Sequence, residues 1–199
     1  MPIAHCRLPI ANRRRIKEKP KLKIKSLQQV ILVNEHDESI GEMEKMEAHQ
    51  KGLLHRAFSI FIFNKHGEML LQQRAASKYH SANLWTNACC SHPSPEEKME
   101  DAIHRRLKEE LGFDTSLTKA FDFKYQTSFD NGLMEHEYDH VYTGVFDGTI
   151  HPNIEEVKDH CFMPVQMIAE KIASEPHLYT SWFKIAFPKL EDYLAKNNL

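Results

Sequence analysis

The stretch Leu84–Phe113 constrains this chain more than any other, because it joins a thiol, an imidazole, a helix start and a pair of acids at the helix end in one strand-to-helix unit. Cys90 and His92 are one residue apart, so over an extended 87–92 both side chains leave the same face. Ser94-Pro95-Glu96-Glu97 predicts a helix start, with Ser94 as N-cap, Pro95 at the first helical position and Glu97 closing a capping box. Met99, Ile103, Leu107 and Leu111 then recur at a four-residue step, an apolar stripe on one slowly drifting face that ends at Gly112. Glu109 and Glu110 fall in the last turn, where the macrodipole disfavours negative charge by a few tenths to about 1 kcal/mol. Either Arg105 and Arg106, one turn back, compensate as ion pairs, or a divalent cation does.

A chain of 199 residues with 41% hydrophobic content can build one large domain with its own core. No apolar run approaches the length of a membrane span, and the N-terminus lacks the apolar region of a signal peptide, which predicts a soluble, cytoplasmic protein. Four cysteines, two of them adjacent at Cys89 and Cys90, do not form a secreted disulfide framework, so reduced thiols are expected. Residues 1–25 hold nine Lys or Arg against one acid, Glu18, in a chain whose net charge is only −2. No aromatic interleaves these charges. The expectation is therefore a solvated, poorly ordered extension over 1–28 preceding a single domain over 29–199, with no nucleic-acid or membrane partner.

Val30-Ile31-Leu32-Val33 predicts a buried first strand within 29–34 and 35–41 its turn, with 50–54 a loop between His49 and His55. Residues 57–64 and 68–74 flank a Lys65-His66-Gly67 turn and predict a hairpin. Residues 120–128 and 133–146 predict two strands around Asp130-Asn131-Gly132. On the second of these, Glu135, Glu137 and Asp139 share one face, with His136, Tyr138, His140 and Tyr142 on the other. A carboxylate row is costly if it points inward without partners, so that face is either wet or holds cations. A strand over 157–163, a helix over 164–173 and a terminal helical region over 179–197, kinked or split at Pro188, complete the chain. Among thirteen histidines, His49, His55 and His92 join Glu135 and Glu137 as candidate metal ligands, a donor set that suits Zn, Mn or Fe better than Ca. An oxygen-rich site at Glu110 suits Mg.

Four segments, Leu54-His55-Arg56-Ala57-Phe58, Arg74-Ala75-Ala76-Ser77-Lys78, Leu84 through Pro93, and Glu135-His136-Glu137-Tyr138-Asp139, resemble the type 1 isopentenyl diphosphate isomerases, a branch of the Nudix superfamily. The resemblance runs from about residue 29 to the C-terminus. Glu97, Arg105, Glu109, Glu110 and Gly112 stand where the general Nudix box has the same residue types, whereas Ser91 replaces its glycine and Arg106 replaces a metal-binding glutamate of the hydrolases. The resemblance implies an α/β fold, a Nudix-like mixed β-sheet sandwiched between helices. It implies Cys90 and Glu137 as the acid–base pair, Tyr125 beside Glu137, and Trp182 as the aromatic that faces a cationic intermediate. His49, His55, His92, Glu135 and Glu137 would hold a divalent ion, Zn2+ or Mn2+, and Glu110 a Mg2+ that bridges the diphosphate of a small isoprenoid substrate. Lys45, Arg74, Lys78, Arg106 and Ser91 would cradle that diphosphate, in a monomer or weak homodimer.

The chemistry implied is a double-bond shift, which needs one proton delivered to an unactivated alkene and a different one removed. Two rival readings compete with it. A Nudix hydrolase of a nucleoside or isoprenoid diphosphate loses ground through Arg106, and a non-catalytic binding module would rely on the basic extension.

Overall fold

The computed structural model describes residues 28–197, so nearly all of the basic extension lies outside the described residues. The organising strand is β3 (His55–Phe63), whose residues alternate between two cores. β1 (Gln29–Val33) and β2 (Ser39–Glu44) form an antiparallel hairpin that meets β3 at Leu32↔His55. β3 runs parallel to β8 (Met134–Val145) along its whole length, from His55↔Glu137 to Phe63↔Val145, and β8 pairs with β7 (Leu117–Ser128). β4 (Glu68–Arg74) pairs with β9 (Val157–Pro164). The result is a mixed sheet of nine strands.

The hairpin expected at 57–74 is splayed rather than closed. β3 and β4 pair only at Phe63↔Met69, next to the turn. Beyond it, β5 (Trp85–Thr86) takes the edge of β4 and β6 (Cys89–Ser91) takes the edge of β3. Two buried amides hold this wedge: the Asn87 side chain donates to the carbonyls of Ile60 and Cys89 at 3.2 and 2.7 Å, and Gln72 Nε2 donates to the Ala88 carbonyl at 2.9 Å. The wedge brings Cys90 and His92 beside β3.

Helices cover both faces, as expected. α2 (Met99–Leu111) buries Ala102, Ile103, Leu107 and Leu111 against Phe58, Ile60, Ile62 and Leu70, while α3 (Val165–Ser174) and α4 (Ser181–Asn197) bury Ile168, Phe183, Phe187 and Leu190 against Phe61, Met69, Leu71 and Val141. The alternate residues of β3 and β4 explain the division. α4 is continuous through Pro188.

Two local expectations differ from the structure. α2 begins at Met99, not at Pro95, because Glu96 has a left-handed φ of 63° that no helix continues through. Half of the capping box survives in a turn, where the Ser94 N–H donates to Glu97 Oε2 at 2.8 Å, and Arg105 clamps the same carboxylate at 2.6 and 2.8 Å. The segment before Gly52 is a short helix, α1 (Lys45–Lys51), capped by Glu44 accepting from the Glu47 N–H at 2.9 Å and ended by Gly52 at φ 62°.

At the far end of α2, Gly112 adopts φ 73° and the free carbonyls of Glu110 and Leu111 accept from the N–H groups of Asn153 and His151 at 2.9 and 3.1 Å. A Cβ at Gly112 would press into the His151 carbonyl. Gly112→Ala is therefore expected to cost about 1–3 kcal/mol of unfolding free energy, through positive φ and this clash, as measured by urea titration.

Candidate functional site

A polar row crosses the otherwise apolar face beneath α4. His55 and Ser59 on β3, Cys90 on β6 with His92 just after it, and Glu135, Glu137 and Asp139 on β8 come together there. The alternation expected on β8 holds, since Glu135, Glu137 and Asp139 are all buried, and Asp139 is fully so. His49 joins from α1, whose fold turns it inward with Ala48. The ligand atoms of His49, His55, His92 and Glu137 lie within 4.8 Å of one another. Glu135 stands beside that group, its Oε2 accepting from the Tyr125 hydroxyl at 3.1 Å.

These four residues fit a divalent cation on their own terms. His55 Nδ1 donates to the Leu53 carbonyl at 2.8 Å, and its Nε2 is buried with no hydrogen-bond partner. Both ring nitrogens of His49 and Nδ1 of His92 are likewise buried without partners. His92 Nε2 lies 3.0 Å from Glu137 Oε1. Burial, then the neighbouring His92 and Lys45, lowers the His49 pKa to about 2; burial and Lys45 lower that of His92 to about 4. Buried imidazoles beside a carboxylate are a donor set for Zn, Mn or Fe. Burial pushes both glutamates up. For Glu137 the contacts with His55 and His92 outweigh it and hold the carboxyl well below the usual range; for Glu135 the Glu137 charge adds to it, and the carboxyl lies well above.

The same row carries the candidate acid–base groups. Tyr125, buried on β7 opposite Glu137, donates its hydroxyl to Glu137 Oε2 at 2.7 Å. Cys90 is a free, half-buried thiol whose pKa burial and then Asp139 push well above the ordinary thiol value. A cavity of about 890 Å³ opens over this face, and Cys90, Glu135, Glu137, His92 and Trp182 reach its wall. Trp182 is buried on α4 with its indole N–H unpartnered, and the Arg74 guanidinium sits 4.9 Å from its ring centroid.

The cavity also has a cationic part of its lining. Lys45, Arg74, Lys78 and Arg106 form it, with Ser91 among them. The helix-end acids of α2 are compensated by arginine: Arg105 reaches Glu109 at 3.1 Å, and Arg106 reaches Glu109 at 2.6 Å and Glu110 at 2.5 Å. Glu110 is distinct in being buried, its Oε2 accepting from Gln72 Nε2 at 2.9 Å. Each of its oxygens keeps a second lone pair for a cation at the cavity wall.

Three residues at the site, His80, Glu156 and Ser59, escaped the sequence reading, and a fourth, Asp139, was read only as part of the carboxylate row. His80 stands 3.7 Å from Glu135 and edge-on to Trp182, with ring centroids 5.7 Å apart. Glu156 pairs with Lys78 and lies 3.6 Å from Arg106. Ser59 and Asp139 bond each other at 2.7 Å. Only Asp139 gave a signal, through its alternation with the two glutamates. His140, on the other face of β8, is flanked by Asp37 at 3.0 Å and Asp122 at 2.7 Å.

A model of the NUDIX domain matches residues 53–183. The chain is 47% identical over 167 residues to the isopentenyl-diphosphate Delta-isomerase of Pectobacterium atrosepticum, covering 84% of this chain and 93% of that one. It is 50% identical over 154 residues to isopentenyl-diphosphate Delta-isomerase 2 of Aromatoleum aromaticum, covering 77% and 82%. Among solved structures it is similar to DR0079 from Deinococcus radiodurans, with a TM-score of 0.62 and 19% identity over 74% of this chain and 90% of that one. A MutT protein from Methanosarcina mazei Go1 gives a TM-score of 0.58 at 17% identity over 73% and 96%. At those identities the structural likeness is one of fold.

His49, His80 and His92 have pKa values lowered from 6.5 to about 2, 3 and 4, for His80 through burial and then Arg74. Between the unfolded and folded values the unfolded chain binds protons that the native one does not, so the contribution of these three histidines to native stability is complete above about pH 6.5 and falls as the pH drops towards 4. The slope is up to about 1.4 kcal/mol per pH unit per histidine. Urea titrations with a chelator present, at several pH values across that window, check this; a flat profile would contradict it.

Proposed function

We propose, from the premise that this chain belongs to the Nudix family and within it to the isopentenyl-diphosphate Delta-isomerases, that it interconverts isopentenyl diphosphate and dimethylallyl diphosphate. One observation carries this reading: a thiol, Cys90, and a carboxylate held by a phenol, Glu137 with Tyr125 at 2.7 Å, reach one cavity that is also lined by Lys45, Arg74, Lys78 and Arg106. A five-carbon unit lying between the two groups can gain a proton from one and lose a different proton to the other.

On this reading Glu137 with Tyr125 is the donor and Cys90 the base: the Tyr125 hydroxyl proton passes through the Glu137 carboxylate to the alkene, and Cys90, as thiolate, takes the proton that is removed. The Trp182 ring face stabilises the tertiary cation formed on the way. Lys45, Arg74, Lys78, Arg106 and Ser91 bind the diphosphate, with the two arginines supplying forked donors that suit phosphate oxygens. His49, His55, His92, Glu135 and Glu137 would hold Zn2+ or Mn2+, and Glu110 would hold Mg2+ with the diphosphate. These ions would draw negative charge from Glu137, favouring release of its proton, and neutralise the diphosphate. The enzyme works as a cytoplasmic protein on a small-molecule substrate; among the described residues no helix is long and apolar enough to cross a membrane.

A hydrolase would need an acid where Arg106 stands. Arg106 instead is half-buried, held by Glu110 and Glu109, with a raised pKa that keeps it charged; its burial opposes that charge and Glu110 outweighs it. A fixed cation at that place suits holding a diphosphate.

Incubation with isopentenyl diphosphate and Mg2+ in deuterated water is expected to give dimethylallyl diphosphate carrying deuterium and no inorganic phosphate. Phosphate or a monophosphate in place of the isomer would turn the reading to hydrolysis. Cys90→Ala and Glu137→Gln are each expected to lower kcat at least about 100-fold, in keeping with loss of a general acid or base. Zn2+ or Mn2+ added to chelator-treated protein should raise its Tm, by an increment equivalent to about 2.7 kcal/mol at a hundredfold excess over Kd. His92→Ala should remove most of that increment, and an unchanged increment in the variant would sink the ligand assignment.

A further inference from the structure

Asp139 is a carboxyl group that the proposed reaction does not use, in a place where carboxyl groups are expensive. It is fully buried on β8, one alternation beyond Glu137 and deeper in the core. Among the described residues no Lys, Arg or His lies within ion-pair distance of it, and its Oδ1 has no hydrogen-bond partner. Its single polar contact is Oδ2 with Ser59 Oγ at 2.7 Å, and Ser59 is itself fully buried. Ser59 Oγ in turn lies 3.5 Å from Cys90 Sγ, within range of a hydrogen bond to sulfur. Strand register builds this line of three. Ser59 pairs directly with Cys90 across β3 and β6, and Asp139 enters from β8 on the same face.

A carboxyl group kept for stability would have both oxygens satisfied, because each unmade bond leaves a desolvation cost of about 1–3 kcal/mol. Here one oxygen is left bare while the other is spent on a hydroxyl whose remaining neighbour is the thiol in the cavity wall. We propose that Asp139 and Ser59 are positioning residues for Cys90: Asp139 fixes the Ser59 hydroxyl, and that hydroxyl fixes the Sγ rotamer and the direction of its hydrogen bond. The inference rests on the reading that Cys90 takes part in the reaction.

The tether acts whichever end holds the proton. With Asp139 as acceptor, Ser59 must donate to it and accept from the thiol, which fixes the direction of the S–H bond while Cys90 is protonated. With Asp139 as donor, Ser59 must donate to sulfur. In both arrangements a hydroxyl with one hydrogen is committed at both ends, and Sγ cannot rotate without breaking its bond to the fully buried Ser59. Losing the tether misplaces the sulfur by a rotamer, and misplacements on the ångström scale cost about 100-fold in rate.

The test is a double-mutant cycle on kcat and KM, with Tm and inorganic pyrophosphate affinity measured for each variant. Ser59→Ala removes one hydroxyl from a strand interior and is expected to fold, to lower kcat by about 10- to 100-fold, and to leave KM and pyrophosphate affinity within about twofold. Asp139→Ala should lower kcat similarly, whereas Asp139→Asn, which keeps an acceptor for Ser59, should recover most of it. Because Asp139 acts through Ser59, the Ser59→Ala/Asp139→Ala pair should lose no more than either alone. Ser59→Ala with undiminished kcat, or losses that multiply in the double variant, would overturn the proposal. So would equal losses for Asp139→Ala and Asp139→Asn. If Cys90→Ala itself keeps kcat, the failure lies in the proposed reaction and not in the tether.

Discussion

The site depends on two buried amide side chains. Asn87 and Gln72 donate to backbone carbonyls inside the sheet, at Ile60, Cys89 and Ala88, and so hold β5 and β6 in the gap between β3 and β4. A closed hairpin would have filled that gap with ladder hydrogen bonds and left Cys90 and His92 no place beside β3. The wedge instead sets Cys90 opposite Ser59, puts His92 within 3.0 Å of Glu137, and lets Gln72 reach the last turn of α2 at Glu110. One wedge thereby serves the imidazole cluster, the thiol and the helix-end acid.

The polar row sets a second constraint. Three carboxyl groups and three imidazoles share a face with Phe61 and Val141, in surroundings where unpaired charge is costly. The protein meets that cost with neutral imidazoles, the phenol of Tyr125 and, on the proposed reading, a bound cation. The bare nitrogens of His49, His55 and His92 are what such a cation would satisfy.

Much of this architecture could be read from the sequence, for identifiable reasons. α2 announced itself because Ile103, Leu107 and Leu111 repeat at the helical period and all three are buried. The inward face of β8 followed from strict alternation. α1 did not announce itself: its seven residues, Lys-Met-Glu-Ala-His-Gln-Lys, are too few and too polar to show a period, although Lys45 and His49 both come from it. The splayed hairpin was unreadable because sequence reports the turn at Lys65–Gly67 and not the long-range competition for the edges of β3 and β4. The helix start misled for a physical reason. Ser94 and Glu97 do bond, but Arg105, eight residues on, takes the same carboxylate, and the chain turns left-handed at Glu96 before the helix begins. His80 and Glu156 came from loop segments whose residue types carry no spacing at all.

The Arg74 guanidinium faces two environments at once. It lies 4.9 Å from the Trp182 ring centroid on one side and on the cationic wall of the cavity on the other, while its Nη2 donates to the His80 carbonyl at 3.3 Å. The wall that would meet a hydrocarbon and the wall that would meet an anion therefore share a single planar group. Any anion that draws this guanidinium towards itself also changes the electrostatic field at the indole face. Head and tail of a bound molecule are in this sense not independent ligands: the affinity of the two together differs from the product of their separate affinities, and a fragment of either kind reports poorly on the whole.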